Sequence, residues 1–314
     1  MTRVLITGVS GFIAGQLAPR IAEKGIDVYG LERYVTGRYN LGDRRNIKTV
    51  FGDLRDHFAL KNIIHDVQPD VVVHLAAISP VSYSYDHPNE VIETNFTGTV
   101  SLAELCLREV PHFKQFLFAS TSETYGNGPS PKTEGSQLNP NSPYAVSKVA
   151  AEKYLLYMHE AYGFPVTIVK PFNTYGRRDN THFVVEKTIA QMLQGGKVEL
   201  GDPNPIRDFM YVEDHLKAYL TCLDEERAIG QTLNFCTGQE TTILKLVEII
   251  GRLTGYEGEV VWNTVPKRPL DIDVLVGDYS KAKRLLGWKP KYSLEDGLGL
   301  CVEYWRDKIA PRHD

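Results

Sequence analysis

Short apolar runs alternate with longer amphipathic stretches along the first half of the chain. Val4-Leu5-Ile6, Val28-Tyr29-Gly30-Leu31, Val50-Phe51, Val71-Val72-Val73-His74-Leu75, Phe116-Leu117-Phe118 and Val166-Thr167-Ile168-Val169 read as strands. Between them, Phe12 to Lys24, Ala59 to Val67, Pro88 to Glu109 and Tyr144 to Ala161 read as helices. Strands without polar alternation are covered on both faces, and intervening helices supply the cover. The pattern predicts an α/β fold with a doubly wound parallel sheet. After Pro171 it loosens, with Gly195-Gly196, the turn GDPNP at 201–205, Pro269 and Pro290 separating shorter elements. We expect residues 1–175 to form one unit and 176–314 mainly a smaller carboxy-terminal α/β region that holds substrate. The chain is expected to return to the first unit around 206–240.

Bulk composition narrows the functional classes. The chain has 314 residues, 42% hydrophobic and 24% charged, ordinary for a globular protein. Thirty-five basic against 39 acidic side chains leave a net charge of −4, with no global case for nucleic acid or a membrane surface. Cys106, Cys222, Cys236 and Cys301 are far apart and lack metal-ligand spacing, so reduced, buried thiols are expected and no metal site. The chain reads as cytoplasmic: Met1 leads straight into a strand pattern, and no apolar run approaches the roughly 18 residues of a membrane helix.

The segment ITGVSGFIAGQL puts Gly8 and Gly11 between the first strand and the first helix, with Ala14 at the third small position. Glycines there permit a tight turn and let a pyrophosphate approach the backbone at a helix N-terminus. That is the dinucleotide-binding signature of a Rossmann sheet, in its proper strand-to-helix context. Glu32 ends the second strand, where a carboxylate binds the ribose 2′-hydroxyl of NAD; the neighbouring Arg33 could instead attract the 2′-phosphate of NADP. NAD is the expected cofactor, with NADP left open. Asp53, after the third strand, is placed to reach the adenine, or to cap the helix beginning near Asp56.

SPYAVSKVAAEKY carries Tyr144 and Lys148, which share one helix face at i and i+4. A phenol normally ionises near pH ~10. A neighbouring ammonium and an oxidised nicotinamide favour the phenolate, which could take a proton from a sugar hydroxyl as hydride leaves the same carbon.

These motifs resemble the extended short-chain dehydrogenase/reductase family, and within it the nucleotide-sugar epimerases, dehydratases and decarboxylases. The likeness covers nearly the whole chain: TGVSGFI at 7–13, HLAA at 74–77, TNFTGT at 94–99, STSETYG at 120–126, YAVSK at 144–148, KPFNTYG at 170–176, IRDFMYVED at 206–214 and KRPLDID at 267–273. It implies that Gly8, Gly11, Phe12, Ile13, Leu54, Leu75, Ala76 and Ala77 surround the cofactor, and that Lys148 also holds the nicotinamide ribose. Thr121 would hydrogen-bond the sugar at C4 beside Tyr144. Ser79, Asn173, Arg207 and Arg268 would meet the nucleotide-diphosphate sugar. Asn95 would lie on the long helix under the cofactor, its plainer alternative being a bond within that helix. Lys170 stands where the family usually has Arg, and Leu270 where it usually has Gly. Many relatives dimerise through the two long helices, here 88–109 and 144–161.

Glu123 is the informative residue. A 4-epimerase of this family oxidises C4 and returns hydride to the other face, and needs no further base. A 4,6-dehydratase must also remove the C5 proton and expel the C6 hydroxyl. Glu123 at a buried strand end suits the first task, and Ser122 would help water leave; the plainer alternative for Glu123 is a satisfied polar cap. Thr-Ser-Glu resembles the triad of GDP-mannose 4,6-dehydratases, but also that of UDP-glucuronate decarboxylases. The latter carry an arginine that would align near His182, and none occurs between Arg178 and Arg207. The expected activity is nucleotide-sugar 4,6-dehydration with GDP-mannose. Decarboxylase, 4-epimerase and a non-catalytic NAD-binding sensor are the alternatives.

Overall fold

The computed structural model describes residues 2–33, 46–178, 180–265 and 268–309, so Lys267 of the motifs above lies outside it. Six strands come first: β1 (Arg3–Thr7), β2 (Asp27–Glu32), β3 (Ile47–Phe51), β4 (Val71–His74), β5 (Gln115–Ala119) and β6 (Val166–Pro171). With Thr232–Phe235 they form a parallel sheet in the order 232–235, β6, β5, β4, β1, β2, β3. The pleat explains the unbroken apolar runs. Val4, Ile6, Val71 and Val73 point into one core, while Leu5 and Val72 point into the other. All six are 0% exposed, and each such side chain contributes roughly 1.5–3 kcal/mol through burial.

Helices α1 (Ala14–Ala22) and Val212–Cys222 cover the first face. Helices α2 (His57–Val67), Gly98–Glu109 and Pro143–Tyr162 cover the second. Buried Ala14, Leu17, Ala18 and Ile21 give α1 its i, i+3, i+4, i+7 stripe. This helix starts at Ala14 rather than Phe12, because the glycine turn runs through Ile13. The long helix expected over 88–109 is interrupted by a π-helical turn at Glu93–Thr97.

The rest of the chain builds a separate core around Val185, Ile189, Leu246, Ile250, Val302 and Trp305, from helices Val184–Gln194, Ile243–Thr254 and Leu294–Ile309. Its strands are short. Ile206–Arg207 pairs with Thr241–Thr242 and Val274–Leu275, and Asn173–Tyr175 pairs with Phe209–Tyr211. The four cysteines are free and buried. No helix among the described residues is long and apolar enough to cross a membrane.

Candidate active site

Strand order reverses between β1 and β4, and a cleft opens at the carboxyl ends of the strands there, the switch point of an open α/β sheet. Its volume is about 680 Å³. Gly8, Gly11, Phe12 and Ile13 line one end; Thr121, Ser122, Glu123, Tyr144 and Lys148 line the other; Leu75, Ala77, Ser79 and Asn173 lie between.

The glycine end fits a pyrophosphate. Gly8 has φ +69°, and a Cβ there would come within 2.9 Å of Ala76 Cα. Its N–H donates to Leu31 O at 2.8 Å, which locks the turn to the end of β2. A buried chain of hydrogen bonds supports it. Thr7 Oγ1 accepts from Leu75 N and Ala76 N at 3.1 and 3.0 Å. Its own proton therefore goes to His74 Nδ1 at 2.8 Å, and His74 Nε2–H donates to Thr99 Oγ1 at 2.9 Å. Thr99 passes its proton to Asn95 O at 2.6 Å. Burial pushes the His74 pKa down to about 3, so the ring stays in this neutral form. Asn95 does not spend its side chain inside its helix. Its amide clamps the loop after β4, accepting from Ile78 N at 2.8 Å and donating to Ile78 O at 3.0 Å.

The reactive end is built on two helix starts. Ser142 caps helix Pro143–Tyr162, its Oγ accepting from Ala145 N at 3.1 Å, and Pro143 fills the first turn. Tyr144, Lys148 and Glu152 follow one turn apart on one face, all buried. Lys148 Nζ donates to Ala119 O at 2.7 Å, tying the helix to the end of β5. Burial lowers the Lys148 pKa to about 7, against the pull of the Glu152 carboxylate. Burial raises the Tyr144 phenol; a hydrogen bond with the Thr121 hydroxyl opposes that rise, and the Glu123 carboxylate adds to it.

Past β5 the chain turns in a 3₁₀ segment, Ser122–Tyr125, whose first N–H groups are capped by Thr121; its Oγ1 accepts from Glu123 N at 3.2 Å. That turn delivers Glu123 to the cleft. Burial raises its pKa, the Arg268 and Arg207 guanidiniums pull it down, and Asp271 pushes it up. Beneath, Glu152 accepts from Ser120 Oγ and pairs with Lys170 Nζ at 2.9 Å. Lys170 also donates to Thr124 Oγ1 at 3.0 Å. The lysine found where Arg is usual therefore sits below the cleft, fastening the Thr-Ser-Glu turn to the helix of Tyr144.

A family model described as GDP-mannose 4,6 dehydratase matches residues 5–300. The dTDP-glucose 4,6-dehydratase of Xanthomonas campestris pv. campestris is 31% identical, over 97% of this chain and 93% of its own. Among solved structures, the UDP-glucose 4-epimerase of Thermotoga maritima with UDP-glucose superimposes with a TM-score of 0.91 at 32% identity, over 98% of this chain and all of that one. The UDP-glucose 4-epimerase of Thermus thermophilus in complex with NAD gives 0.89 at 29%, over 98% and 100%. The chain belongs to the extended short-chain dehydrogenase/reductase family. It is an enzyme of the nucleotide-sugar dehydratase and epimerase group, and its relatives include both activities.

Several residues that the family motifs single out stand outside the cleft wall. Ala76 lies under Gly8, and Leu54 packs against Gly98. Glu32 is buried at the end of β2, and Arg33 is exposed beside it. Asp53 does not cap α2: Asp56 does, accepting from Ala59 N at 3.0 Å. Asp53 instead reaches forward to Arg55, accepting from its Nη2 at 2.8 Å and its Nε at 3.0 Å. Arg207 is buried, its Nη1 bonded to Ile206 O at 3.0 Å and its Nη2 3.4 Å from Asp271 Oδ1; Arg268 is exposed. The Leu270 side chain is 61% exposed, while its carbonyl accepts from Tyr85 Oη at 3.2 Å.

The motifs also missed part of the wall: Gln16, Arg177, Arg178, Phe183, His215 and Tyr219. Arg177 stacks on Phe183 and Phe12, 3.6 and 4.7 Å from the ring centroids. His182, where a decarboxylase arginine would align, is exposed and off the wall. His215 and Tyr219 carried a signal: they are polar residues at i and i+4 on the apolar side of helix Val212–Cys222.

Proposed function

We propose that this chain is an NAD-dependent nucleotide-sugar 4,6-dehydratase, with GDP-mannose as its substrate. The observation that carries the reading is Glu123, a carboxylate of raised proton affinity in the same cleft as Thr121, Tyr144 and Lys148. Re-facing a hydride at C4 leaves such a group without a task.

The glycine turn holds the cofactor's pyrophosphate, Glu32 its adenosine ribose and Lys148 its nicotinamide ribose. The chemistry NAD would supply when bound is acceptance of hydride from C4 and its return to C6, so that the net change is loss of one water. Tyr144 takes the proton of the C4 hydroxyl, with Thr121 orienting that hydroxyl and Lys148 favouring the phenolate. The C4 ketone acidifies C5, and Glu123 removes the C5 proton. Ser122, next to Glu123, assists the C6 hydroxyl as it leaves as water. Asn173, Arg207, Arg268 and Ser79 bind the nucleotide-diphosphate sugar, the arginines meeting the phosphate charge. The guanine assignment draws on the family model and on the likeness of the RR before a Phe-Val helix at 177–184, and of the LGDPNPIRDF loop, to the corresponding segments of GDP-mannose dehydratases. NAD over NADP draws on Glu32 and on the NAD complex of the Thermus relative. Tyr157 and Tyr162, 48% and 57% exposed on helix Pro143–Tyr162, suit a homodimer through that helix.

A second reading, 4-epimerisation, is favoured by the epimerases among relatives of equal similarity. Mass spectrometry separates the two. Purified protein is incubated with GDP-mannose, dTDP-glucose, UDP-glucose or UDP-glucuronate, each alone. Loss of one water from GDP-mannose is the expected result, and the same loss from another sugar moves the substrate but keeps the reaction. An unchanged mass with a new sugar epimer overturns the dehydratase, as does loss of carbon dioxide from the glucuronate.

A further inference from the structure

Two polar atoms on the floor of the cleft have no partner among the described residues. His215 and Tyr219 lie one turn apart on helix Val212–Cys222, 5% and 1% exposed, and both line the cleft. His215 Nε2 and Tyr219 Oη are buried without a hydrogen bond, even to each other, although the two rings stack at 5.2 Å. Burying such groups unsatisfied costs on the order of 1–3 kcal/mol each, so their retention in a cleft points to a ligand that completes them.

Their hydrogen-bonding roles follow from their neighbours. Thr174 Oγ1 donates to Phe172 O at 3.1 Å. It must therefore accept from His215 Nδ1–H, 2.9 Å away. The imidazole proton is on Nδ1, and Nε2 presents a bare lone pair. Burial and the nearby Arg177 charge keep the ring neutral, and burial keeps the Tyr219 phenol protonated. The floor thus offers one obligate acceptor beside one hydroxyl donor. A primary amide is the complement, an NH₂ donor beside a carbonyl acceptor. The cleft that holds the pair also has apolar lining in Ile13, Pro171 and Phe172, against which a flat heteroaromatic ring can lie.

We propose that His215 Nε2 and Tyr219 Oη receive the carboxamide of the cofactor's nicotinamide, and so set which face of the ring is turned toward the sugar. This rests on the dinucleotide reading above, which puts the nicotinamide between the glycine turn and Tyr144. His215 accepts from the amide NH₂, and Tyr219 donates to the amide carbonyl. Asn173 Oδ1 is a third buried, unpartnered acceptor in the cleft and is left to the substrate.

Binding, rather than turnover, tests this. Nucleotide-free full-length protein is titrated with NAD and with 3-acetylpyridine adenine dinucleotide, a methyl ketone that keeps the carbonyl and lacks the NH₂. Wild type should bind NAD roughly tenfold more tightly than the ketone, and His215→Leu should bring that ratio to about one. Tyr219→Phe, nearly isosteric and safe for the fold, should weaken both dinucleotides by a similar factor. An unchanged ratio in His215→Leu, or Tyr219→Phe with wild-type affinity for both, overturns the assignment. If wild type binds both dinucleotides alike, only this inference fails; if folded wild type binds neither, the cofactor reading fails and takes the inference with it.

Discussion

The two walls of the cleft are built differently. On the sheet side, Thr121, Glu123, Tyr144 and Lys148 stand on a strand end and a capped 20-residue helix, bound beneath by Glu152 and Lys170. On the carboxy-terminal side, Asn173 comes from a three-residue strand and Phe183 from the residue before a helix, while Arg207, from a two-residue strand, and Arg268, from an exposed loop, stand off the lining but act on Glu123 through their charge. The first arrangement fixes side chains through buried bonds that would all have to break together. The second can change length and sequence with little cost to the core. On the proposed function, proton transfer would belong to the first wall and choice of substrate to the second. That division accounts for how relatives near 30% identity can share one backbone and differ in reaction and sugar.

The largest effect should come from the sheet side. Glu123→Gln keeps shape and removes the base, so dehydrated product should fall roughly 10²- to 10⁴-fold. In deuterium oxide, wild type should place solvent deuterium at C5 of its product, and the variant should do so only at that reduced rate. Undiminished product from Glu123→Gln would take this carboxylate out of the reaction. It would also dissolve the division between the walls.

The buried pair under that wall comes next. Lys170→Met leaves Glu152 buried without its partner and should cost roughly 3–5 kcal/mol in denaturant unfolding. Lys170→Arg preserves the charge, matches the residue usual in the family, and should cost well under half of that. Equal losses would mean that Lys170 acts through packing alone and not through its bond to Glu152.

How far the sequence carried the structure differs along the same line. The sheet was legible because its central strands bury both faces, so Val71 to Val73 appear as an unbroken run. Gly8, Gly11, Tyr144 and Lys148 were legible because fixed spacing on a turn or helix carries their geometry. The carboxy-terminal wall was not. A two-residue strand such as Ile206–Arg207 has no period to detect, and its position depends on the partners of Ile206, Thr242 and Val274, which lie 36 and 68 residues away. The capping alternative for Asp53 failed because two aspartates, 53 and 56, precede α2, and only the turn between them decides which one caps it. His215 and Tyr219 look like flaws in an amphipathic helix until the cleft is seen to open above them.

The smallest effect is the most specific, because it joins the two walls. Glu123 acts when ionised, so kcat/KM should hold steady above its pKa and fall as pH drops through it. Burial places that acid limb above the range of an ordinary glutamate, and the Arg268 and Arg207 charges hold it partway down. Arg268→Gln removes the stronger of the two restraints, so the limb should move to higher pH. Any loss of substrate affinity lowers the height of the kcat/KM profile without moving its limb. A shifted limb would show that the recognition wall also tunes the base. A profile that drops in height with its limb unmoved would confine Arg268 to binding, and would leave the chemistry wholly to the turn after β5.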